Sequence, residues 1–267
     1  MNIRTAIGQY YPAKSIAHEL DSRVKLVMTI TYVVVAFFVE SAGGYCFVTG
    51  ALFVAVYLSK VPLKFILRGL RAVWALLIFT AVLNVFFTPP IDSADLLLNL
   101  GFAQISESGL IMAAKMAVRL MLLVTFSSML TLTTTPLALA DAIEFFLAPL
   151  AKIGFPAAEV AMMMTIALRF IPTLIDEMDK IIKAQKARGA DFETGSLMRR
   201  VKALVPILVP LFISAFRRAD DLATAMEARC YRTDVKRTKL RSLKMTRQDY
   251  MAILMTALFA VCVLAIR

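Results

Sequence analysis

Residues able to do chemistry are scarce in this chain, and the most suggestive of them are two arginines. Arg188 and Arg229 each finish a long helical pattern, in the settings Ala187-Arg188-Gly189 and Ala228-Arg229-Cys230. A guanidinium is a planar fork of donors that stays charged in any groove and can grip a carboxylate through two parallel hydrogen bonds. Small neighbours let such a helix end enter a groove closely, and Gly189 can take the left-handed conformation that terminates a helix. Either arginine alone is accounted for as a carboxyl-end cation complementing a helix dipole. The same Ala-Arg-small ending on two long, increasingly charged helices points instead to a pair of docking prongs.

Other chemistry has little material. His18 is the single histidine, so histidine-based metal or triad chemistry is not expected; it reads as a structural hydrogen-bonder in the amino-terminal arm. There is no Gly-x-x-x-x-Gly-Lys-[Ser/Thr] run to bind ATP. The carboxylates of Asp176, Glu177 and Asp179, and of Asp220 and Asp221, lie on helices rich in lysine and arginine, where surface ion pairs are the ordinary outcome. Cys46, Cys230 and Cys262 have no metal or disulfide spacing. The chain is therefore not expected to be an enzyme or to hold a cofactor or metal of its own.

Composition says what must carry the prongs. Of 267 residues, 60% are hydrophobic and the mean hydropathy is +0.74, well above the apolar share of a soluble domain. The net charge of +11 does not indicate nucleic acid, because interleaved basic and aromatic residues are absent. The basic residues instead flank apolar spans, as the positive-inside bias requires. The expected fold is an all-α integral membrane protein with about five transmembrane helices and a cytoplasmic pair of long coupling helices.

Residues 1–25 form a polar, cytoplasmic amino-terminal arm without the apolar core of a cleavable signal. Four transmembrane helices are expected over 26–135. Leu26 to Leu58 carries only Glu40 as a charge and is too long for one span of ~20 residues; Gly43-Gly44 predicts the turn of a hairpin. The run VPLKFILRGL from Val61 reads as a short amphipathic surface segment, followed by a third span over Ala72–Phe87. The loop from Thr88 to Gly109 holds Asp92, Asp95 and Glu107 but no lysine or arginine, which puts that loop outside and the amino terminus inside. The fourth span, Leu110 to Leu132, carries Lys115, near enough to the outer end to snorkel. It also carries Arg119, set deeper, where a charge faces a bundle interior, another helix or a partner.

The segment 136–247 is expected in the cytoplasm. Thr135 caps and Pro136 opens an amphipathic helix to about Leu150. Two long helices follow, Pro156 to Arg188 and Ser196 to Arg229, with kinks expected at Pro172, Pro206 and Pro210. Their apolar stretches, Ala157–Ile171 and Ala203–Phe216, are nearer the size of core or re-entrant helices than of spans. If each crossed, Lys180, Lys183, Lys186, Arg188, Arg199, Arg200 and Lys202 would all lie outside, against the charge bias. A basic run including Lys236, Arg237, Lys239, Arg241 and Lys244 leads into the last span, within 248–267, which leaves the carboxyl terminus outside. Met162-Met163-Met164 stand on the first long helix. Methionine suits surfaces that accept different partners and equally fills cores.

An ordered set of motifs resembles one family. Ser15-Ile-Ala-His18-Glu-Leu20-Asp21-Ser-Arg23-Val-Lys25-Leu26 is similar to the amino-terminal Ser-x-x-His-x-Leu-Asp-x-Arg-x-Lys-Leu pattern of the transmembrane T component of energy-coupling factor (ECF) transporters, the EcfT/CbiQ-like family. Thr133-Thr-Thr-Pro136, Leu168-Arg-Phe-Ile-Pro172, Ala184-Gln-Lys-Ala-Arg188-Gly189 and Arg218-Ala-Asp-Asp-Leu-Ala-Thr-Ala-Met-Glu-Ala-Arg229 extend the likeness over nearly the whole chain. The resemblance implies a non-catalytic subunit of an ATP-driven importer of vitamins or other micronutrients. It implies two ABC-type ATPase partners, which carry the ATP and Mg, and a membrane-embedded substrate-binding S component, either dedicated or one of several interchangeable ones. Arg188 and Arg229 would enter grooves on the two ATPases, and Met162 to Met164 or Arg119 would meet the S component. Cys230 departs from the family's usual glycine, though cysteine is small enough to fit. The rival readings are a stand-alone secondary transporter, which should show broken spans with converging polar residues or inverted repeats, and a membrane scaffold for other cytoplasmic partners.

Overall fold

In the computed structural model the residues described are 10–87, 96–99, 104–190, 192, 196–232 and 245–266. They build α1 (Ile16–Glu19), α2 (Ser22–Phe37), α3 (Ala42–Ser59), α4 (Leu63–Phe87), α5 (Glu107–Thr133), α6 (Pro136–Leu147), a 3-10 turn (Ala148–Ile153), α7 (Ala157–Ala187), α8 (Leu197–Ala228) and α9 (Arg247–Ile266). Helices dominate, as expected. The exception is a short antiparallel ribbon before α5, β1 (Leu96–Asn99) with β2 (Gln104–Ser106). The chain divides into two compact units, Gly8–Ala142 with Leu243–Arg267, and Ile143–Ser242.

Among the described residues, five helices are long and apolar enough to cross a membrane: α3, α4, α5, α7 and α9. The number is the expected one, but the set differs. The 16-residue α2 falls short of the length limit, and the 31-residue α7, expected to stay in the cytoplasm, meets it. Two local expectations are corrected. The hairpin turns at Phe38–Ser41, because Ser41 caps α3 by accepting from the Gly44 amide; Gly43 and Gly44 lie in the first helical turn. A Cβ on Gly44 would stand 2.8 Å from Val39 Cγ1, so this glycine serves the close return of the chain. The VPLKFILRGL run is the start of α4 and not a separate surface segment. Nothing in it breaks a helix, since Pro62 precedes the first turn and Gly69 faces Ser128 of α5, whose Oγ would be 2.9 Å from an added Cβ. Small residues here let α4 and α5 approach closely.

The core of the first unit joins α2, α3, α5 and α9 through Tyr32, Val35, Val48, Leu52, Leu122 and Val263, all buried. Tyr32 stacks on Phe126 with centroids 3.9 Å apart and on Phe259 at 5.8 Å, and its hydroxyl donates to the Val48 carbonyl at 3.2 Å. Large apolar side chains such as Trp74, Phe79 and Phe87 on α4 are exposed. That pattern suits a helix solvated by lipid.

One end of this unit is tied by polar contacts through the amino-terminal pattern. Asp21 caps α2, accepting from the Arg23 amide at 2.9 Å, and its carboxylate also receives the Arg23 guanidinium at 2.7 Å. Burial alone would raise the Asp21 carboxyl, but the Arg23 hydrogen bonds outweigh it and hold the group below the usual carboxylate range. Lys25 donates to the Thr133 carbonyl at the end of α5 and to the His18 carbonyl, each at 3.0 Å. The Tyr11 amide donates to the neighbouring Leu132 carbonyl at 2.9 Å. At the start of α9, Asp249 reaches back to Thr246, accepting its amide at 2.7 Å and its hydroxyl at 2.8 Å. The other Asp249 oxygen accepts the Asp21 amide at 2.8 Å. Asp249 is 1% exposed and Lys25 8%.

His18 is part of the same tie. Its Nε2 must donate to the Tyr11 carbonyl at 2.9 Å, which leaves Nδ1 to accept the Ser15 hydroxyl at 2.6 Å in the neutral ring. Burial, with the Lys25 charge adding to it, pushes the imidazole below its ordinary value, and the hydrogen bond to Tyr11 opposes them. A lowered folded pKa means that the unfolded chain binds the proton more readily, so this contribution is present above about pH 6.5 and is lost as the pH falls below it. Because His18 is the only histidine, the test is clean. The thermal midpoint in detergent should drop on acidification through that window, and His18→Gln should flatten the slope.

Candidate functional site

The two prongs end in the same way, hydrogen bond for hydrogen bond. At the end of α7, Gly189 N donates to Lys186 O at 3.0 Å and Ala190 N to Gln185 O at 3.0 Å. At the end of α8, Cys230 N donates to Glu227 O at 2.8 Å and Tyr231 N to Met226 O at 3.0 Å. Each pair is a complete Schellman motif, with the arginine as the C-cap and the next residue left-handed. Gly189 has φ +86° and Cys230 has φ +54°. The departure at Cys230 thus leaves the ending intact, with the left-handed strain carried by a residue that has a Cβ. Ala187, Arg188, Gly189, Ala228, Arg229 and Cys230 are all exposed. The helix bounds agree with the expected ones at both ends, from Pro156 and Ser196 as N-caps to the two arginines.

The helices bearing these ends cross each other. Glu177 of α7 accepts from Ser214 at 2.7 Å and pairs with Arg218, one turn further along α8. On one side of that contact an apolar groove is lined by Ile166, Phe170 and Leu174 of α7 and by Ala219, Leu222 and Met226 of α8. The amino-terminal half of α7 therefore lies beside the carboxyl-terminal half of α8, and the two helices run in opposed directions. Measured from the crossing, Arg188 lies about 16 Å along α7 and Arg229 about 20 Å along α8, in opposite directions, at ~1.5 Å per residue. Pro172, Pro206 and Pro210 sit inside uninterrupted helices.

Glu177, expected to form an ion pair, forms one with Arg218. Ser214 was not singled out from sequence; its one-turn spacing from Arg218 cannot name a partner on another helix. Met162 to Met164 are not among the residues lining the groove; the methionine that lines it is Met226. Consecutive helical positions point ~100° apart, and Met163 is exposed whereas its two neighbours are half-buried.

Arg119 lies elsewhere, in the first unit. It donates to the Val39 carbonyl at 2.6 Å, just past the end of α2, and its guanidinium lies 5.9 Å from the Tyr45 ring. Lys115, one turn away, donates to the Glu40 carbonyl at 3.3 Å. No carboxylate partner could be named from sequence because both cations go to backbone carbonyls at a helix carboxyl end, where the dipole also favours them. As many residues separate Lys25 from Val39 as separate Arg119 from Thr133, so α2 runs antiparallel to α5 and ends level with Arg119.

The left-handed positions give a direct test. A methyl added at Gly189 would meet nothing within 4 Å, so Gly189→Ala changes the backbone preference alone. It should speed amide exchange at Ala190 about fivefold, the equivalent of ~1 kcal/mol. Cys230→Gly should slow exchange at Tyr231 by a similar factor.

Three curated relatives illustrate what the whole chain is similar to. All carry the name energy-coupling factor transporter transmembrane protein EcfT. The one from Clostridium kluyveri is 52% identical over 261 residues, covering 96% of this chain and 94% of its own length. That from Ruminiclostridium cellulolyticum is 48% identical over 253 residues, covering 95% and 93%. That from Limosilactobacillus fermentum is 44% identical over 261 residues, covering 98% and 97%. A family model described as CbiQ, cobalt transport protein, matches residues 13–240. The motif series, the multi-pass helical fold and these likenesses agree: the chain belongs to the CbiQ family and stands among its EcfT members, the transmembrane T components of energy-coupling factor transporters.

Proposed function

We propose that this chain is the coupling subunit of an ATP-driven importer, joining two cytoplasmic ABC-type ATPases to a membrane-embedded S component that captures a vitamin or other micronutrient. The observation that carries the reading is the pair of congruent helix ends, each presenting one exposed arginine, on opposite sides of a braced crossing. Arg188 docks in an acidic groove of one ATPase and Arg229 in that of the other. ATP and Mg belong to those partners, and this chain catalyses nothing itself. When the ATPases close and reopen, their relative motion reaches the crossed helices as a displacement of two points on opposite sides of the Glu177–Arg218 contact. A rigid crossing turns that displacement into a rotation, which a membrane partner can follow.

The amino terminus faces the cytoplasm and the carboxyl terminus the outside, because lysine and arginine flank the expected inner ends of the spans while the segment 88–109 has neither. On the same bias α7 stays on the cytoplasmic side despite its length, since crossing would carry Lys180, Lys183 and Lys186 outward. Met162, Met163 and Met164 offer an adaptable surface to interchangeable S components, with Met163 the most available of them.

The test is co-purification in mild detergent followed by uptake in proteoliposomes. Two P-loop ATPases and at least one small membrane protein should accompany the parent chain. Arg188→Ala or Arg229→Ala should each weaken ATPase association by about 2–5 kcal/mol, the usual loss when one partner of a desolvated charge pair is removed. The double variant should abolish uptake while the chain remains folded and membrane-inserted. Normal uptake by the double variant, or a parent chain that purifies alone and carries solute unaided, would overturn the assignment.

A further inference from the structure

The prong-bearing helices α7 and α8 lie in the second unit, which the chain enters after Ala142 and leaves before Leu243. Along the chain from those junctions, the nearest span ends in the first unit are the end of α5, at Thr133, and the start of α9, at Arg247. A displacement carried along the chain from the prongs meets those two termini. A helix terminus is the weakest place to receive a pull, since its last backbone groups lack intrahelical partners and fray first.

Here both termini are held by a third element. The amino-terminal end of α2 contacts the end of α5 through Lys25, which donates to the Thr133 carbonyl at 3.0 Å. It contacts the start of α9 through the Asp21 amide, which donates to Asp249 at 2.8 Å. Asp249 simultaneously closes the first turn of α9 through two bonds from Thr246, at 2.7 and 2.8 Å. The Tyr11 amide adds a second bond to the end of α5, at 2.9 Å. Lys25 and Asp249 are almost wholly buried, so the bonds are shielded from competing water and bear a higher energetic cost of breaking than surface pairs. Neither group is needed to fill the apolar core, which the Tyr32 cluster builds nearer the middle of the helices.

We propose that Lys25 and Asp249 are positioning residues for energy coupling. Together with the start of α2 they form a bracket that locks the end of α5 to the start of α9, so that motion of the prong-bearing segment moves the membrane helices as one body. This rests on the reading in the preceding subsection. Without the bracket the two termini yield separately, and ATP hydrolysis proceeds without moving solute.

The experiment compares the parent transporter with Lys25→Met and Asp249→Asn, both of which keep side-chain volume, in proteoliposomes holding the ATPases and the S component. Assembled complex, ATP hydrolysis and uptake are measured in the same vesicles. The expected result is normal assembly, hydrolysis near the parent rate, and a rise of about fivefold or more in ATP consumed per solute taken up, the scale of an ordinary coupling free energy. Lys25→Arg, which can still donate to Thr133, should recover part of the parental ratio. If the variants lose uptake only in proportion to lost complex, the residues are merely structural and the proposal fails. It fails equally if the ratio is unchanged. A parent chain showing no ATP-driven uptake would instead remove the coupling reading, and the bracket with it.

A second measurement does not depend on turnover. Spin labels at exposed Thr131 and Gln248 report the distance between the end of α5 and the start of α9. In the parent complex it should be narrow and the same with and without a non-hydrolysable ATP analogue, and in both variants it should broaden or shift with nucleotide. A parental distance that moves with nucleotide, or variant distances that stay fixed, would overturn the bracket.

Discussion

Every helix ends with four N–H or four C=O groups that its own backbone cannot pair, and lipid offers such groups nothing. That constraint accounts for the placement of several charged and polar residues in the membrane unit. Lys25 goes to the last carbonyl of α5, and Arg119 and Lys115 go to the carbonyls just beyond α2. Asp21 and Asp249 go to the first amides of α2 and to the residue before α9. Ser41, Ser106 and Thr135 cap α3, α5 and α6. The prongs, which must finish in the open, satisfy their last carbonyls from their own following amides. Lys25, Lys115 and Arg119 are therefore better understood by asking which helix end each reaches than by looking for an opposite charge.

The contrast between the two kinds of ending bears on function. An end tied by a side chain from another helix cannot move without that helix, so it transmits displacement. A Schellman ending is self-contained. It needs no neighbour, so the backbone carrying the C-cap side chain is ordered in advance and only the side chain's own rotamers remain to be fixed by a partner. The proposed coupling role calls for membrane helices tied to each other and prongs whose ends are tied only to themselves. The brace between Glu177, Ser214 and Arg218 supplies the remaining part, a fixed crossing between the two arms.

The parts legible in the sequence were those governed by local rules. Long amphipathic periodicity with Pro, Ser and Arg-small boundaries placed α7 and α8, and Thr135-Pro136 marked a helix start. What escaped was set by contacts between distant residues. Gly43-Gly44 looked like a turn because glycine usually marks one, but the return is made one step earlier and Gly44 is needed for its lack of a Cβ against Val39. The basic run in VPLKFILRGL looked like a surface segment because its charges recur, whereas the helix simply continues through them into α4. Arg119 could not be placed because backbone carbonyls leave no trace in a search for charged partners. The same blindness hid the tie of Asp21 and Lys25 to residues more than a hundred positions away, although both stood inside a motif recognised as a motif.

That last point changes how the amino-terminal pattern is understood. A short stretch with one histidine, an aspartate, an arginine and a lysine suggests a ligand site when viewed as a list. In the fold its ionisable groups are bonded within the protein: His18 to Tyr11 and Ser15, Asp21 to Arg23, Lys25 to two carbonyls. At those positions the pattern's specificity is for geometry. Its spacing sets Asp21 and Lys25 one helical turn apart on α2, which is the separation needed for one helix start to reach both α9 and the end of α5. The two termini held in this way are, along the chain, the span ends that precede and follow the prong-bearing segment. In the proposed coupling role, the most distinctive motif outside the prongs acts at both of them.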